Sequence, residues 1–214
     1  MIPRQAFFFS IEHQQTGYLV YRMYQAAYGD IAAAAPVPVT LSQFKPDAAR
    51  IGQGVIVNQS GWQEILETNK RAFAESFVQR APFQLAYPTT MTPDQFVDKL
   101  FQTAEITPDA ADRTAAIDEF GAAPNIADVA ARGRALRRVA ESSTLRAREF
   151  NQAFVLMEYF GYLRRDPNTG PDSDYSGYNF WLQKLNEFDG DFRRAEMVKS
   201  FLVSGEYRAR FGNQ

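Results

Sequence analysis

A helical pattern that recurs three times along the chain constrains the fold more than any single segment does. Each copy begins with an apolar helix, and these three helices cover residues 18–24, 96–101 and 154–160. An adjacent proline and aspartate then indicate a turn, at Pro46-Asp47, Pro108-Asp109 and Asp166-Pro167. Each copy closes on two apolar residues six positions apart: Phe77 and Phe83, Val139 and Leu145, Phe201 and Tyr207. A period of roughly 55 to 70 residues predicts a helical repeat whose units are longer than most solenoid units.

Start signals and apolar stripes predict that the chain is all α-helical. Thr92-Pro93-Asp94-Gln95 has the hydroxyl, proline and glutamine typical of the N-cap, N1 and N3 positions. Ser60-Gly61-Trp62-Gln63 is interpreted as a capping box that opens a helix ending near Arg80, and a long helix is predicted over 144–163. Phenylalanine and tyrosine, with 18 and 10 copies, fall along helical stripes, and clear β-alternation is absent.

The recurring pattern divides the chain into about three and a half related three-helix units. Residues 1–15 are interpreted as the tail of a truncated unit, because 7–12 match 201–206 in pattern. Complete units are predicted at 16–88, at 92–150, where the pattern is degenerate, and at 151–214. Since no single unit can bury its own aromatic stripe, we expect the units to pack on one another as a helical repeat or bundle.

The last unit resembles the bacterial family called domain of unknown function 4214. Its matching motifs are Tyr162–Pro167, Gly177–Trp181 and Ser204–Tyr207, although the turn is inverted to Asp-Pro and extended by residues 168–174. The middle unit has lost the Gly-to-Trp element. The family is similar to the helical linker domain of phycobilisomes, without support here for a pigment-binding role. The resemblance implies an exported or surface location as part of a larger bacterial protein, and it implies no known activity, substrate or cofactor.

Composition argues against most catalytic and binding chemistries. The chain has no cysteine, which excludes thiolate chemistry. Its single histidine, His13, argues against a catalytic triad and against a metal site built from histidines. The formal net charge of −2 gives no overall basic field for nucleic acid. No apolar run approaches the roughly 20 residues that cross a bilayer, and no signal peptide is evident in this chain. We therefore expect a non-enzymatic protein.

One loop could bind a cation. Oxygen-bearing side chains alternate along it, and the candidate calcium ligands are Asp166, Asn168, Asp172 and Asp174. The loop departs from an EF-hand because Pro171 stands where the turn glycine belongs and Gly177 where the bidentate glutamate belongs. Because these residue types are also common turn formers, we expect a structural turn with Asp174 or Ser176 capping the next helix, and no obligatory cofactor.

Three further groups have a functional and a structural interpretation. A basic cluster could bind phosphate or an acidic partner, but pairing with Glu141 and Glu149 at i,i+4 spacing is the favoured interpretation; its members are Arg132, Arg134, Arg137, Arg138, Arg146 and Arg148. Ser204 is expected to cap a helix, with Glu206 reaching back to the same cap. Tyr178, Phe180 and Trp181 could stack on a sugar, although an amphipathic helix with a buried Trp181 is favoured.

These observations predict a structural or protein-interaction module whose partner is a protein. The alternative is a calcium- or carbohydrate-binding surface module that uses the 166–174 loop and Trp181. Self-association is also predicted through the N-terminal half-unit, because a helix without its own partners would expose part of its apolar face.

Overall fold

The computed structural model describes residues 14–212, and within them the chain is all α-helical. The twelve α-helices are α1 (Gly17–Tyr28), α2 (Leu41–Gly52), α3 (Trp62–Phe77), α4 (Ala81–Ala86), α5 (Pro93–Thr103), α6 (Ala110–Asp118), α7 (Val129–Glu141), α8 (Ser143–Arg148), α9 (Phe150–Glu158), α10 (Ser176–Glu187), α11 (Met197–Val203) and α12 (Gly205–Phe211). A π-helical turn, Tyr159–Leu163, follows α9. No β-strand occurs in this part of the chain, so the predicted all-α fold class is confirmed.

Each predicted unit contains the same number of helices in a similar order. The helices follow one another in three groups of four: α1–α4, α5–α8 and α9–α12. Each group begins with a helix rich in buried residues and ends with a closing helix of six or seven residues. Each group holds four helices where three were predicted, and the unit boundaries and the equivalence of the units stay predictions. The predicted half-unit, 1–15, lies outside the described residues except for Gln14 and Gln15. None of the described helices combines the length and apolarity needed to span a bilayer.

The start of α5 is as predicted, whereas the start of α3 is not. The Thr92 hydroxyl accepts a hydrogen bond from the Gln95 backbone N–H, and the Gln95 side chain accepts one from the Thr92 N–H in return. The capping box predicted at residues 60–63 is wrong, because Gly61 occupies the N-cap of α3 with a left-handed backbone (φ 80°). Glycine has no side chain that could cap the helix, and it is suited to this position because its backbone adopts the left-handed conformation without strain.

Two other boundary predictions are wrong. The long helix predicted over 144–163 is divided into α8, α9 and the π-helical turn. Its first interruption is at Glu149 (φ −87°, ψ 1°), whose buried carboxylate accepts a hydrogen bond from the Tyr21 hydroxyl at 2.9 Å. Pro46 lies inside α2 rather than in a turn, and Asp47 beside it is buried and pairs with Arg80 at 2.6 Å. Tertiary contacts override local signals at both places.

Aromatic rings from successive helices form a continuous cluster in the core. Phe77 of α3 is fully buried, and its ring centroid lies 5.0 Å from that of Tyr24 and 6.0 Å from that of Phe83. Phe83 continues the cluster to Tyr87 at 4.6 Å and to Phe96 of α5 at 6.1 Å. Mostly edge-to-face contacts of this kind add to the stabilisation from burial. The first and second predicted units therefore share one core.

The backbones of helices α3 and α7 lie close together at Gly133. A Cβ atom built on Gly133 would lie 3.1 Å from the carbonyl carbon of Ala74 and 3.1 Å from the backbone nitrogen of Glu75. Because both atoms belong to the backbone of α3, they cannot rotate away as a side chain would. The missing side chain at position 133 thus sets the distance between the two helices.

We expect Gly133→Ala to lower the free energy of unfolding by about 1–2 kcal/mol, because overpacking the α3–α7 contact outweighs the helix propensity gained. Urea denaturation measures the effect. The matched control is Gly205→Ala in α12, where an added Cβ meets nothing within 4 Å and stability should stay the same or rise slightly. An unchanged or increased stability for Gly133→Ala would contradict the proposed steric limit.

Candidate functional site

The candidate calcium loop joins distant parts of the chain. It follows the π-helical turn and leads to α10. The Oδ1 atom of Asp166 accepts a hydrogen bond of 2.7 Å from the backbone N–H of Leu41, the first residue of α2. A carboxylate near a helix N-terminus satisfies a free N–H group and interacts favourably with the helix dipole. Asp166 thereby connects the last predicted unit to the first.

Arg165 is the centre of a buried polar junction beside this loop. Its side chain is 8% exposed and forms ion pairs of 2.8 Å with Asp172 and of 2.8 Å with Glu206 in α12. The same guanidinium donates to the carbonyl oxygens of Asp166 and Pro167 and lies 5.1 Å from the ring centroid of Tyr159. One side chain therefore fixes the loop, the π-helical turn and the closing helix together.

Gly170 is required where the loop passes Arg165. Its φ is 95°, a conformation that residues with a side chain rarely adopt. A Cβ at this position would lie 3.0 Å from Cδ of Arg165. From the sequence alone, this glycine is expected only to be one of several turn formers.

The four candidate calcium ligands have separate surroundings. Asp166 and Asp172 bind Leu41 and Arg165 as described, and Asp174 accepts a hydrogen bond of 2.9 Å from the Ser176 backbone N–H at the start of α10. Hydrogen bonds from Ser176 hold the pKa of Asp174 below its usual value. Asn168 is exposed to solvent. In the described residues no three His, Cys, Asp or Glu side chains are grouped to hold a metal ion, and calcium binding stays a prediction.

The Ser204–Glu206 segment is a helix cap, as the sequence indicated, but Glu206 has a different partner. The Ser204 hydroxyl accepts a hydrogen bond of 3.1 Å from the Tyr207 backbone N–H at the start of α12. The prediction that Glu206 reaches back to this cap is wrong, because its two carboxylate oxygens bind Arg165. A buried guanidinium across the junction attracts the carboxylate more strongly than a cap N–H would.

The three aromatic residues of α10 differ in exposure. Tyr178 is fully buried, Trp181 is half-buried, and Phe180 is 56% exposed. This gradient fits the favoured amphipathic helix, with Tyr178 in the core and Trp181 only partly covered. Its centroid lies 5.8 Å from that of Phe201 in α11 and 5.1 Å from that of Phe180. Phe180 and Trp181 consequently form an apolar edge that is open to solvent.

Arginines of the predicted basic cluster pair mainly between helices. Arg137 holds Glu67 of α3 through two hydrogen bonds of 2.6 and 2.9 Å, and it forms one i,i+4 pair with Glu141. Arg134 and Arg138 both pair with Glu119, which follows α6. The expected i,i+4 pairing on a solvated face is therefore wrong for most of the cluster. These pairs line a groove of about 550 Å³ between α3 and α7.

Three buried charged residues were not predicted as candidate site residues from the sequence. Arg22 is 4% exposed, Lys70 5%, and Glu158 3%. A signal for two of them is present in the sequence, because Arg22 and Glu158 each interrupt an otherwise apolar helical segment, at 18–24 and 154–160. Such groups were treated as part of the predicted core stripes.

No family model matches the chain, and neither the curated proteins nor the solved structures include a match. The resemblance to domain of unknown function 4214 therefore stays a prediction based on motifs of the last unit. In the structure the first and last of those motifs contact each other, because Glu206 binds Arg165 and the ring centroids of Tyr162 and Tyr207 lie 6.1 Å apart.

Proposed function

We propose that the chain is a non-enzymatic structural and protein-interaction module of an exported or surface bacterial protein. It acts through an apolar surface on its last helices, formed by Phe180 and Trp181 of α10 and by Val203 of α11. Exposed large apolar side chains favour contact with another protein surface. The exported location rests on the resemblance described above.

The exposure of this surface is the observation that supports the proposal. Phe180 is 56% exposed and Val203 50%, while most other phenylalanines of the described residues are buried or half-buried. Trp181 lies against Phe180 and is itself half-buried. Aromatic rings that are already partly packed lose little conformational entropy when a partner binds. Such rings are therefore favoured as contact residues.

A second copy of the chain is the occupant that the helix arrangement favours. Helices α3 and α7, the third helices of their units, pack closely on each other. Helix α11 holds the same place in the last unit, but its main contacts are with α12 and the π-helical turn. A helix from a second copy would supply the neighbour that α3 and α7 supply for each other. Val203 lies at the exposed end of α11.

Sedimentation equilibrium over a range of protein concentrations tests this proposal. We expect the chain to dimerise reversibly, and Phe180→Asp combined with Val203→Asp to weaken the dimer at least about tenfold, because charges replace apolar contacts. Leu85→Asp is the matched control, since Leu85 of α4 is 87% exposed and lies outside the proposed surface. A monomer at every concentration, or a dimer that the double variant leaves intact, would argue against it.

The alternative, a calcium- or carbohydrate-binding module, is supported by the open edge of Phe180 and Trp181 beside the 166–174 loop. We expect calcium to leave the thermal stability unchanged, because Asp166 and Asp172 already have donors in Leu41 and Arg165. The measurement is a pair of melting curves, one with about 5 mM Ca²⁺, which saturates a typical extracellular site, and one with EDTA. A rise in Tm of several degrees that Asp172→Ala abolishes would favour the alternative.

A further inference from the structure

A polar pocket of about 300 Å³ lies where the start of α1 meets α3 and the junction of α7 with α8. Its charged lining consists of three cations and one anion: Arg22, Lys70, Arg146 and Glu141. Glutamine and tyrosine side chains contribute further polar atoms, from Gln14, Gln15 and Tyr18. Its volume is at the lower end of the range for small-molecule pockets. We call it the Arg22 pocket.

Arg22 is a buried cation without a carboxylate partner among residues 14–212. Its Nε donates to the backbone oxygen of Tyr18 at 3.1 Å, and its Nη1 donates to the backbone oxygen of Ala140 at 2.8 Å. Its guanidinium carbon lies 4.3 Å from the centroid of the Tyr18 ring. Burial lowers the pKa of Arg22 to about 10, so the group stays charged at neutral pH. The charged guanidinium of Arg22 is therefore held by two neutral backbone carbonyls and by the Tyr18 ring.

Lys70 is the second buried cation. Its ammonium donates to the side-chain oxygen of Gln15 and forms no ion pair with a described carboxylate. Glu141, the anion of the pocket, accepts a hydrogen bond of 3.0 Å from Arg137. Glu67, which is also close enough to influence Lys70, is bound by Arg137 and Arg71. The nearby carboxylates are therefore engaged by other cations.

Arg146 is the third cation that lines the Arg22 pocket, and it lies on the solvent-exposed side. It belongs to α8 and is exposed, and its backbone oxygen accepts a hydrogen bond from the Tyr18 hydroxyl. Tyr18 therefore binds α8 through its hydroxyl and supports Arg22 with its ring. The pocket carries two buried cations and one solvent-facing cation against a single carboxylate, Glu141, which already pairs with Arg137.

We propose that the Arg22 pocket binds a phosphate or sulfate group. Two buried cations that lack a carboxylate partner among residues 14–212 are costly, and an oxyanion would offset that cost while accepting hydrogen bonds from both. Guanidinium groups match the geometry of such oxyanions, and the interaction is stronger where water is partly excluded. The binding group could be free inorganic phosphate or a phosphate ester on a larger molecule, because both present the same oxygens.

Isothermal titration calorimetry of the full chain with inorganic phosphate, at ionic strength held constant with sodium chloride, tests the proposal. We expect binding at one site, a higher Tm with phosphate than with chloride, and at least about a tenfold loss of affinity in both Lys70→Gln and Arg146→Gln. Arg71→Gln is the matched control, since Arg71 follows Lys70 in α3, is 67% exposed and does not line the pocket. It should keep the affinity of the unmodified chain.

Other outcomes overturn the proposal or identify the ligand. Absence of phosphate binding would overturn the proposal. Equal losses of affinity in Arg71→Gln and Arg146→Gln would show a general charge effect and contradict a specific site. Since Arg146 is exposed, its replacement leaves the core intact and remains informative if Lys70→Gln does not fold. Titration with phosphoserine distinguishes the sources: tighter binding than inorganic phosphate indicates an ester, and weaker binding indicates the free ion.

Discussion

Replacement of Arg165 by methionine should lower the free energy of unfolding by about 3 kcal/mol. Arg165 is 8% exposed and pairs with both Asp172 and Glu206, so its loss leaves two carboxylates at the junction. The remaining cation is Arg210, which lies 3.6 Å from Glu206 and is 39% exposed. Breaking a buried ion pair by removing one partner costs about 3–5 kcal/mol. We expect the lower end of that range because Asp172 keeps contact with water, with 38% of its side chain exposed.

Urea denaturation measures this loss, and two variants identify its cause. Arg165→Lys keeps the charge but not the planar fork, so we expect it to recover only part of the stability. Arg164→Met changes the preceding arginine, which is exposed and makes no ion pair with a described residue, and it should have little effect. Equal losses for Arg164→Met and Arg165→Met would show that the buried junction is not the cause.

Local signals predicted the fold class well because they depend on neighbouring residues. The cap at Thr92 needs only Gln95, three positions away, and the structure has both hydrogen bonds. The aromatic stripes likewise required only helical spacing, and Phe77, Phe83 and Phe96 are all buried. An all-α chain with a Phe- and Tyr-rich core therefore follows from short-range patterns.

Boundaries and partners that depend on distant residues could not be predicted in this way. The interruption at Glu149 accompanies a contact with Tyr21, which lies 128 positions earlier. Likewise, Asp166 was considered as a calcium ligand, but its Oδ1 binds the Leu41 N–H, 125 positions away. A single sequence contains no information on such pairings, because they depend on how the helices pack.

Helix caps of the candidate site depend on nearby residues, whereas its ion pairs depend on distant ones. Ser204 is the N-cap of α12, as expected. Asp174, also expected as a cap, accepts a hydrogen bond from a backbone N–H at the start of α10, although Tyr175 occupies the N-cap of that helix. Glu206 was assigned to the Ser204 cap because of its spacing, while the competing Arg165 lies 41 positions away. Short-range caps are predictable from spacing, whereas a choice between a cap and a buried ion pair requires the tertiary structure.

Glu158 should make the protein less stable as the pH rises from about 5 to about 8. It is 3% exposed, and its Oε2 atom has no hydrogen-bond partner in the described part of the chain. Burial raises the pKa of Glu158 to about 8 from an ordinary value of about 4.5. Between these values the unfolded chain is ionised while the folded chain keeps its proton. Stability is then lost at up to about 1.4 kcal/mol per pH unit, and the loss ends above pH 8.

Glu158→Gln removes the titration while keeping the size of the side chain. We expect the stability of this variant relative to the unmodified protein to increase from pH 5 to pH 8 by several kcal/mol, measured by urea denaturation at each pH. Glu149, whose pKa burial raises to about 6, titrates in the same window, but its contribution cancels because both proteins contain it. Glu75→Gln, at an exposed position of α3, should show no such trend. A constant difference between Glu158→Gln and the unmodified protein would mean that Glu158 is already ionised in the folded state, which requires a cation or water beside its buried carboxylate.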